Sequence, residues 1–145
     1  MTKDVMISIR GMHFDLTDNG DNIEIIQPGQ YYTRGDTHYL IYEEPVEGTD
    51  QTNKNMIKFN DTSMTLTKKG VINTSLLFDT SKKNLTNYVT PYGNLVIGLD
   101  THTVSVTKTD DEINLKINYS LDVNYEFLAD CDISIIAHDI NSARI

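Results

Sequence analysis

The stretch INLKINYSL, Ile113 to Leu121, sets an apolar side chain at every odd position and Asn114, Lys116, Asn118 or Ser120 at every even one. Successive side chains of a β-strand point to opposite faces, so this spacing builds one buried and one wet face of an antiparallel sheet. Val5, Ile7 and Ile9 alternate with Met6, Ser8 and Arg10 in the same way. The period of two recurs along the chain, and no long segment carries apolar residues at helical spacing. Further strands are predicted over residues 23–26, 30–34, 37–44, 55–59, 63–68, 71–79, 87–89, 95–99, 103–107 and 127–137.

Short connections rich in Asn, Asp and Gly join these runs, as antiparallel neighbours require. Gly35-Asp36, Asn60-Asp61, Lys69-Gly70 and Asp110-Asp111 are the turn candidates. A two-residue loop at Gly35-Asp36 puts Tyr32 opposite Tyr39, an aromatic pair that helps fix register. Pro28 has no N–H to give to a ladder, so Gln27-Pro28-Gly29 predicts a bulge or an edge. The apolar parity changes between Leu99 and Val104, which demands a bulge or break around residues 100–103. Thr90-Pro91-Tyr92-Gly93 fits a type I turn. Residues 47–55 read as the longest loop and 80–84 as a second.

A chain of 145 residues fits one domain with a substantial core, over 1–145. With 21 acidic and 12 basic residues the net charge is −9. That balance repels phosphate backbones and anionic lipid, so neither nucleic acid nor a membrane is expected as a partner. The single Cys131 forms no intramolecular disulfide, no apolar segment reaches the length of a membrane span, and the N-terminal MTKDVMISIRG lacks a signal-peptide core. A cytoplasmic location is the expectation. Four Asn-x-Ser/Thr sequons, at Asn60, Asn73, Asn84 and Asn118, follow from the abundance of Asn and Thr.

Chemistry-bearing motifs are sparse. No nucleophile elbow, Walker loop or dinucleotide fingerprint occurs. His13, His38, His102 and His138 form no metal-ligand pair, although Asp-Thr-His occurs at Asp36 and again at Asp100. Cys131 lies between Asp130 and Asp132, which disfavour a thiolate. No catalytic residue, metal or cofactor is assigned. Glu43 and Glu44 close an apolar run, and on a strand they point to opposite faces, so they are no catalytic dyad. An inward glutamate has to be paired or placed for a ligand.

Tyr39-Leu-Ile-Tyr42-Glu43-Glu44, Gly48, Thr52, Ile57-Lys58, Lys69-Gly70, Thr90-Pro91-Tyr92-Gly93 and Tyr119-Ser120-Leu121 together resemble the YwiB-like family, from about Val5 to Ile136. That bacterial family of calycin-type β-barrels has no assigned function. The chain departs from it at Lys69, where the family tends to have arginine, and at Asp79-Thr80-Ser81, where a glycine is common. The resemblance implies a calycin/lipocalin-like barrel and leaves ligand and activity open.

The expectation is therefore a single antiparallel up-and-down β-barrel of about eight to ten strands. Its leading function is to bind a small apolar or amphipathic ligand, with Arg34, Tyr42, Glu44 and Tyr92 lining one concavity. The alternative is a protein-interaction or homo-oligomerising module around a solid core, the oligomeric state being open. An enzymatic reading, Glu44 as general base beside Tyr42 and Tyr92, requires a buried glutamate with a raised pKa.

Overall fold

The structure, a computed structural model, describes residues 3–11, 24–45, 48–70, 73–90 and 93–140. Among them are ten strands and no helix: β1 (Lys3–Arg10), β2 (Glu24–Arg34), β3 (Thr37–Pro45), β4 (Thr52–Phe59), β5 (Ser63–Lys69), β6 (Thr74–Asp79), β7 (Asn84–Thr90), β8 (Gly93–Lys108), β9 (Glu112–Val123) and β10 (Glu126–Asp139). Every ladder is antiparallel, and the order is β6-β5-β4-β3-β2-β1-β10-β9-β8-β7. Strands adjacent in the chain thus pair throughout except β6 with β7, and β1 pairs with β10. The wall is a nearly closed up-and-down barrel whose one seam falls between β6 and β7. There the Asp79–Lys82 bridge and the Thr86 Oγ1 bond to the Ser75 carbonyl (3.3 Å) stand in for a ladder.

Side-chain parity selects the interior. Ile7, Leu40, Ile57, Leu66, Leu76 and Leu115 come from six strands and are all at most 1% exposed. Phe78 of β6 meets Tyr119 of β9 edge-on at 4.9 Å, a contact that spans the interior beside the seam. Each such side chain contributes roughly 1.5–3 kcal/mol by leaving water, and together they fill the middle of the barrel.

The local signals fix the register as expected in several places. Gly35, at φ 62°, opens a two-residue hairpin of the type II′ kind, and Tyr32 stacks on Tyr39 at 4.6 Å. The Asn60 carboxamide oxygen accepts from the Thr62 and Ser63 amides (2.9 and 3.0 Å) and closes the β4–β5 turn. The parity change in β8 is a register shift between Thr101 and Thr103.

Other expectations are corrected. The runs 95–99 and 103–107 are one strand, because the bulge absorbs the parity change without breaking the ladder. Likewise 23–26 and 30–34 join as β2. β4 already starts at Thr52 inside the expected 47–55 loop, since backbone pairing with β3 is indifferent to the polarity of Asn53 and Asn55. For the same reason β7 is longer than 87–89. Pro91 and Tyr92 of the Thr90–Gly93 turn lie outside the described residues.

Candidate functional site

At the mid-depth of the barrel, Leu40 of β3, Ile57 of β4, Leu66 of β5 and Leu76 of β6 face one another in a continuous cross-strand row. One step along the same inward parity, the row becomes polar: Tyr42 pairs with Asn55, Asn55 with Lys68, and Lys68 with Thr74. The next step sets Glu44 opposite Asn53. Inward polar side chains therefore cap an aliphatic floor, the layout that holds an apolar body and a polar head.

Tyr42 is 4% exposed, Asn53 2% and Asn55 0%. Lys68 Nζ reaches Glu44 Oε1 at 3.2 Å across the intervening β4, and both side chains are largely buried. Burial pushes the Tyr42 phenol up to about 12, the Asn55 amide opposing the shift and the Glu44 charge adding to it. Asn55 approaches the Tyr42 hydroxyl closely enough to oppose its pKa shift, but neither of its amide atoms reaches hydrogen-bond geometry there or with another described group, and Thr74 Oγ1 is equally unpartnered. A buried polar atom without a partner costs about 1–3 kcal/mol, which makes this layer the candidate place for a bound water or a bound molecule.

The wall beside this layer is split. The β2–β3 ladder runs from Arg34↔Thr37 to Gln30↔Ile41 and stops, although both strands continue, β2 back to Glu24 and β3 on to Pro45. Continued in register, Pro28 would face Glu43 and Pro45 would face Ile26, and a proline can donate nothing. Gly29 holds the start of the split tight: a Cβ there would lie 2.5 Å from the Ile41 carbonyl and 2.6 Å from Ile7 Cδ1. A concavity of about 600 Å³ opens along the divergence, lined among others by Gln27, Pro28, Tyr42, Glu43, Pro45 and Lys54.

Of the expected site residues, Tyr42 and Glu44 are brought together on one inward face, while Glu43 points out and is exposed. Arg34 is not with them. It is exposed and flanks the β2–β3 turn, seven residues of β3 or roughly 23 Å from Glu44, at the other end of the barrel. Tyr92 lies outside the described residues. The carboxylate of Glu44 is engaged by Lys68 rather than left as the lone buried acid that a general base there requires.

Asn55, Lys68 and Thr74 escaped the sequence reading. Each continues the inward parity of an apolar run, from Ile57 and Phe59, from Met64 and Leu66, and into Leu76 and Phe78. A polar residue in phase with a buried face was the signal.

The opposite end has its own polar group. Tyr31 and His38 Nδ1 share a hydrogen bond of 2.7 Å, and the His38 ring stacks on Phe59. Burial, then the nearby Lys108, lowers the His38 pKa, and burial raises that of Tyr31. A cavity of about 20 Å³, room for one water, lies against Tyr31 and Lys108. The second Asp-Thr-His motif faces outward, with His102 Nε2 on Ser120 Oγ (2.8 Å), which in turn donates to Asp130 (2.7 Å). Among the described residues no three His, Cys, Asp or Glu side chains converge as metal ligands. The half-buried Cys131 thiol is pushed up by burial, opposed by the Tyr119 hydroxyl and aided by Asp130 and Asp132.

With this geometry in hand, a family model described as "Domain of unknown function (DUF1934)" matches residues 7–135. The chain belongs to the DUF1934, or YwiB-like, family. The crystal structure of the ywiB protein from Bacillus subtilis is similar at a TM-score of 0.74, covering 97% of this chain and 94% of that one at 16% identity. That likeness shows a shared fold. No curated protein matches the chain.

Proposed function

We propose that this DUF1934 protein binds a small, partly apolar molecule at the polar end of its barrel, between the layer of Tyr42, Asn55 and Lys68 and the concavity beside Tyr42. The observation that supports it is Asn55, wholly buried with both amide atoms unpartnered above an aliphatic floor. The middle of the barrel is packed, so the ligand sits at the end of the barrel and not along its axis. The lone, half-buried Cys131 suits a reducing compartment, and we infer a cytoplasmic location from it. No helix of the described residues is long and apolar enough to cross a membrane.

A thermal-shift screen of fatty acids, aromatic acids, amines and nucleotides tests the reading, since a ligand at 100 times its Kd stabilises by about 2.7 kcal/mol. Asn55→Leu and Lys68→Met should each abolish the shift while staying folded. A screen with no hit, or a hit undiminished in both variants, removes the site.

A second reading has its own support. Tyr125, Phe127 and Leu128 at the β9–β10 turn are 74%, 64% and 54% exposed, an apolar tip of the kind that mediates association. A monomer by light scattering at every concentration, unchanged by Phe127→Ser, would dispose of it.

A further inference from the structure

The two strands at the split carry more acceptors than donors. The phase of the ladders settles which groups face it. The two-residue hairpin makes Arg34 and Thr37 a hydrogen-bonded pair, so even residues of β2 and odd residues of β3 direct their N–H and C=O groups at each other. The Asn60 amide donating to the Ser63 carbonyl gives β4 the matching phase, which leaves the odd residues of β3 for β2. The first pair beyond the end of the ladder, Pro28 and Glu43, then offers two carbonyls and one N–H. The next, Ile26 and Pro45, offers the same. Whatever happens between the strands, the carbonyls of Glu43 and Ile26 have no N–H opposite them, because the residue opposite each is a proline.

We infer that the β2/β3 split, with surplus carbonyls on Ile26 and Glu43 and with the Glu43 side chain and the Tyr42 ring in the lining of its concavity, takes the planar cationic head of the ligand, an amidinium or guanidinium group. Such a head carries only donors in a fixed fork, suits carbonyl pairs on facing strands, and is more weakly hydrated than an ammonium. The proline pair keeps the site available. With ordinary residues at both positions the ladder would close on itself and consume the same carbonyls. Lys54 stands opposite Glu43 on the β4 side of the concavity, so its charge offsets that carboxylate and directs the head towards the β2 edge, where the carbonyls rather than Glu43 hold it. This assignment rests on the binding reading above and narrows it to one ligand class.

Benzamidine, benzoate and benzyl alcohol share a ring and differ in the head, so titrating each into the full chain, with backbone amide NMR as readout, separates the classes. Benzamidine should give saturable shifts at Ile26 and Glu43, and benzoate none. In the Pro28→Ala, Pro45→Ala double variant, amide hydrogen exchange at residues 28 and 45 should be protected as the ladder extends, and benzamidine should bind more than about tenfold more weakly, as expected for losing charge-assisted hydrogen bonds. Undiminished benzamidine binding in that variant, absent protection at both alanines, or a preference for benzoate would each overturn the assignment. Benzoate binding that is lost in Asn55→Leu would overturn it while leaving the binding site standing, and no binding of any probe or screen compound would remove both.

Discussion

Asn55 keeps a carboxamide in the barrel interior with neither atom at hydrogen-bond geometry, and leucine has the same branched heavy-atom skeleton, somewhat bulkier, without a polar group to desolvate. Asn55→Leu should therefore raise stability by about 1–3 kcal/mol in urea unfolding while removing the ligand response, a trade expected when a strained or unsatisfied group is kept for a task. A loss of stability on this substitution would show that the amide is satisfied in solution. Tyr42 makes a pH prediction. Its pKa is pushed up to about 12 in the folded chain, against about 10 when unfolded, so the folded state holds its proton more tightly. That contribution is complete below pH ~10 and is lost as pH rises towards ~12. Stability should fall over that window by about 2–3 kcal/mol, and Tyr42→Phe should flatten the fall. His38 works in the other direction. Its pKa is lowered by burial and Lys108, so its contribution is present above the unfolded value near 6.5 and is lost as pH falls through the folded one. His38→Gln should reduce the acid sensitivity seen by circular dichroism below that pH.

At the level of strands, the ladders decide where the wall is weak. β7 is laddered only to β8, and its odd residues face the seam, where β6 offers no ladder beyond the Asp79–Lys82 bridge. The amides of Leu85 and Asn87 should exchange with solvent more than about tenfold faster than those of Thr86 and Tyr88, which face β8, and much faster than those of β9, which is laddered on both sides. Equal protection along β7 would mean that the barrel closes fully in solution. The strand ends show how sequence reading fails locally. Polar starts such as Thr52-Asn53 and Asn84-Leu85 carry no hydrophobic period, yet they extend β4 and β7 because a neighbouring strand offers its backbone. The irregularity in β8 was legible as a bulge or a break, because an inward-facing run can change parity in no third way, and only the unbroken ladder with β9 decided for the bulge.

The whole molecule is held by contacts between residues distant in the chain. Phe78→Ala, removing the ring that meets Tyr119 across the interior, should cost about 3–5 kcal/mol and lower Tm accordingly; a cost below about 1 kcal/mol would mean the interior is less tightly filled than the buried side chains indicate. Alternation by itself determined that the chain is all strand, which face of nearly every strand is buried, and the opposed directions of Glu43 and Glu44, while the two-residue Gly35-Asp36 turn set Tyr32 opposite Tyr39. The missing N–H of Pro28 marked a bulge or an edge there, and β2 is an edge at Pro28 towards β3 alone, since its ladder with β1 runs on through Met6↔Pro28. A period of two says which face a side chain takes and nothing about its depth along the barrel. Depth is set by the register between strands, accumulated from ladder to ladder. That is why Arg34 could be grouped with Tyr42 and Glu44 from composition although the β2–β3 hairpin holds them at opposite ends, and why Asn55 and Lys68, unremarkable in sequence, stand beside Tyr42. The pairing of β1 with β10 and the placing of the seam between two strands adjacent in the chain likewise belong to the tertiary structure, because closing a barrel depends on strand number and stagger summed over the whole sheet, a quantity that no local window of sequence contains.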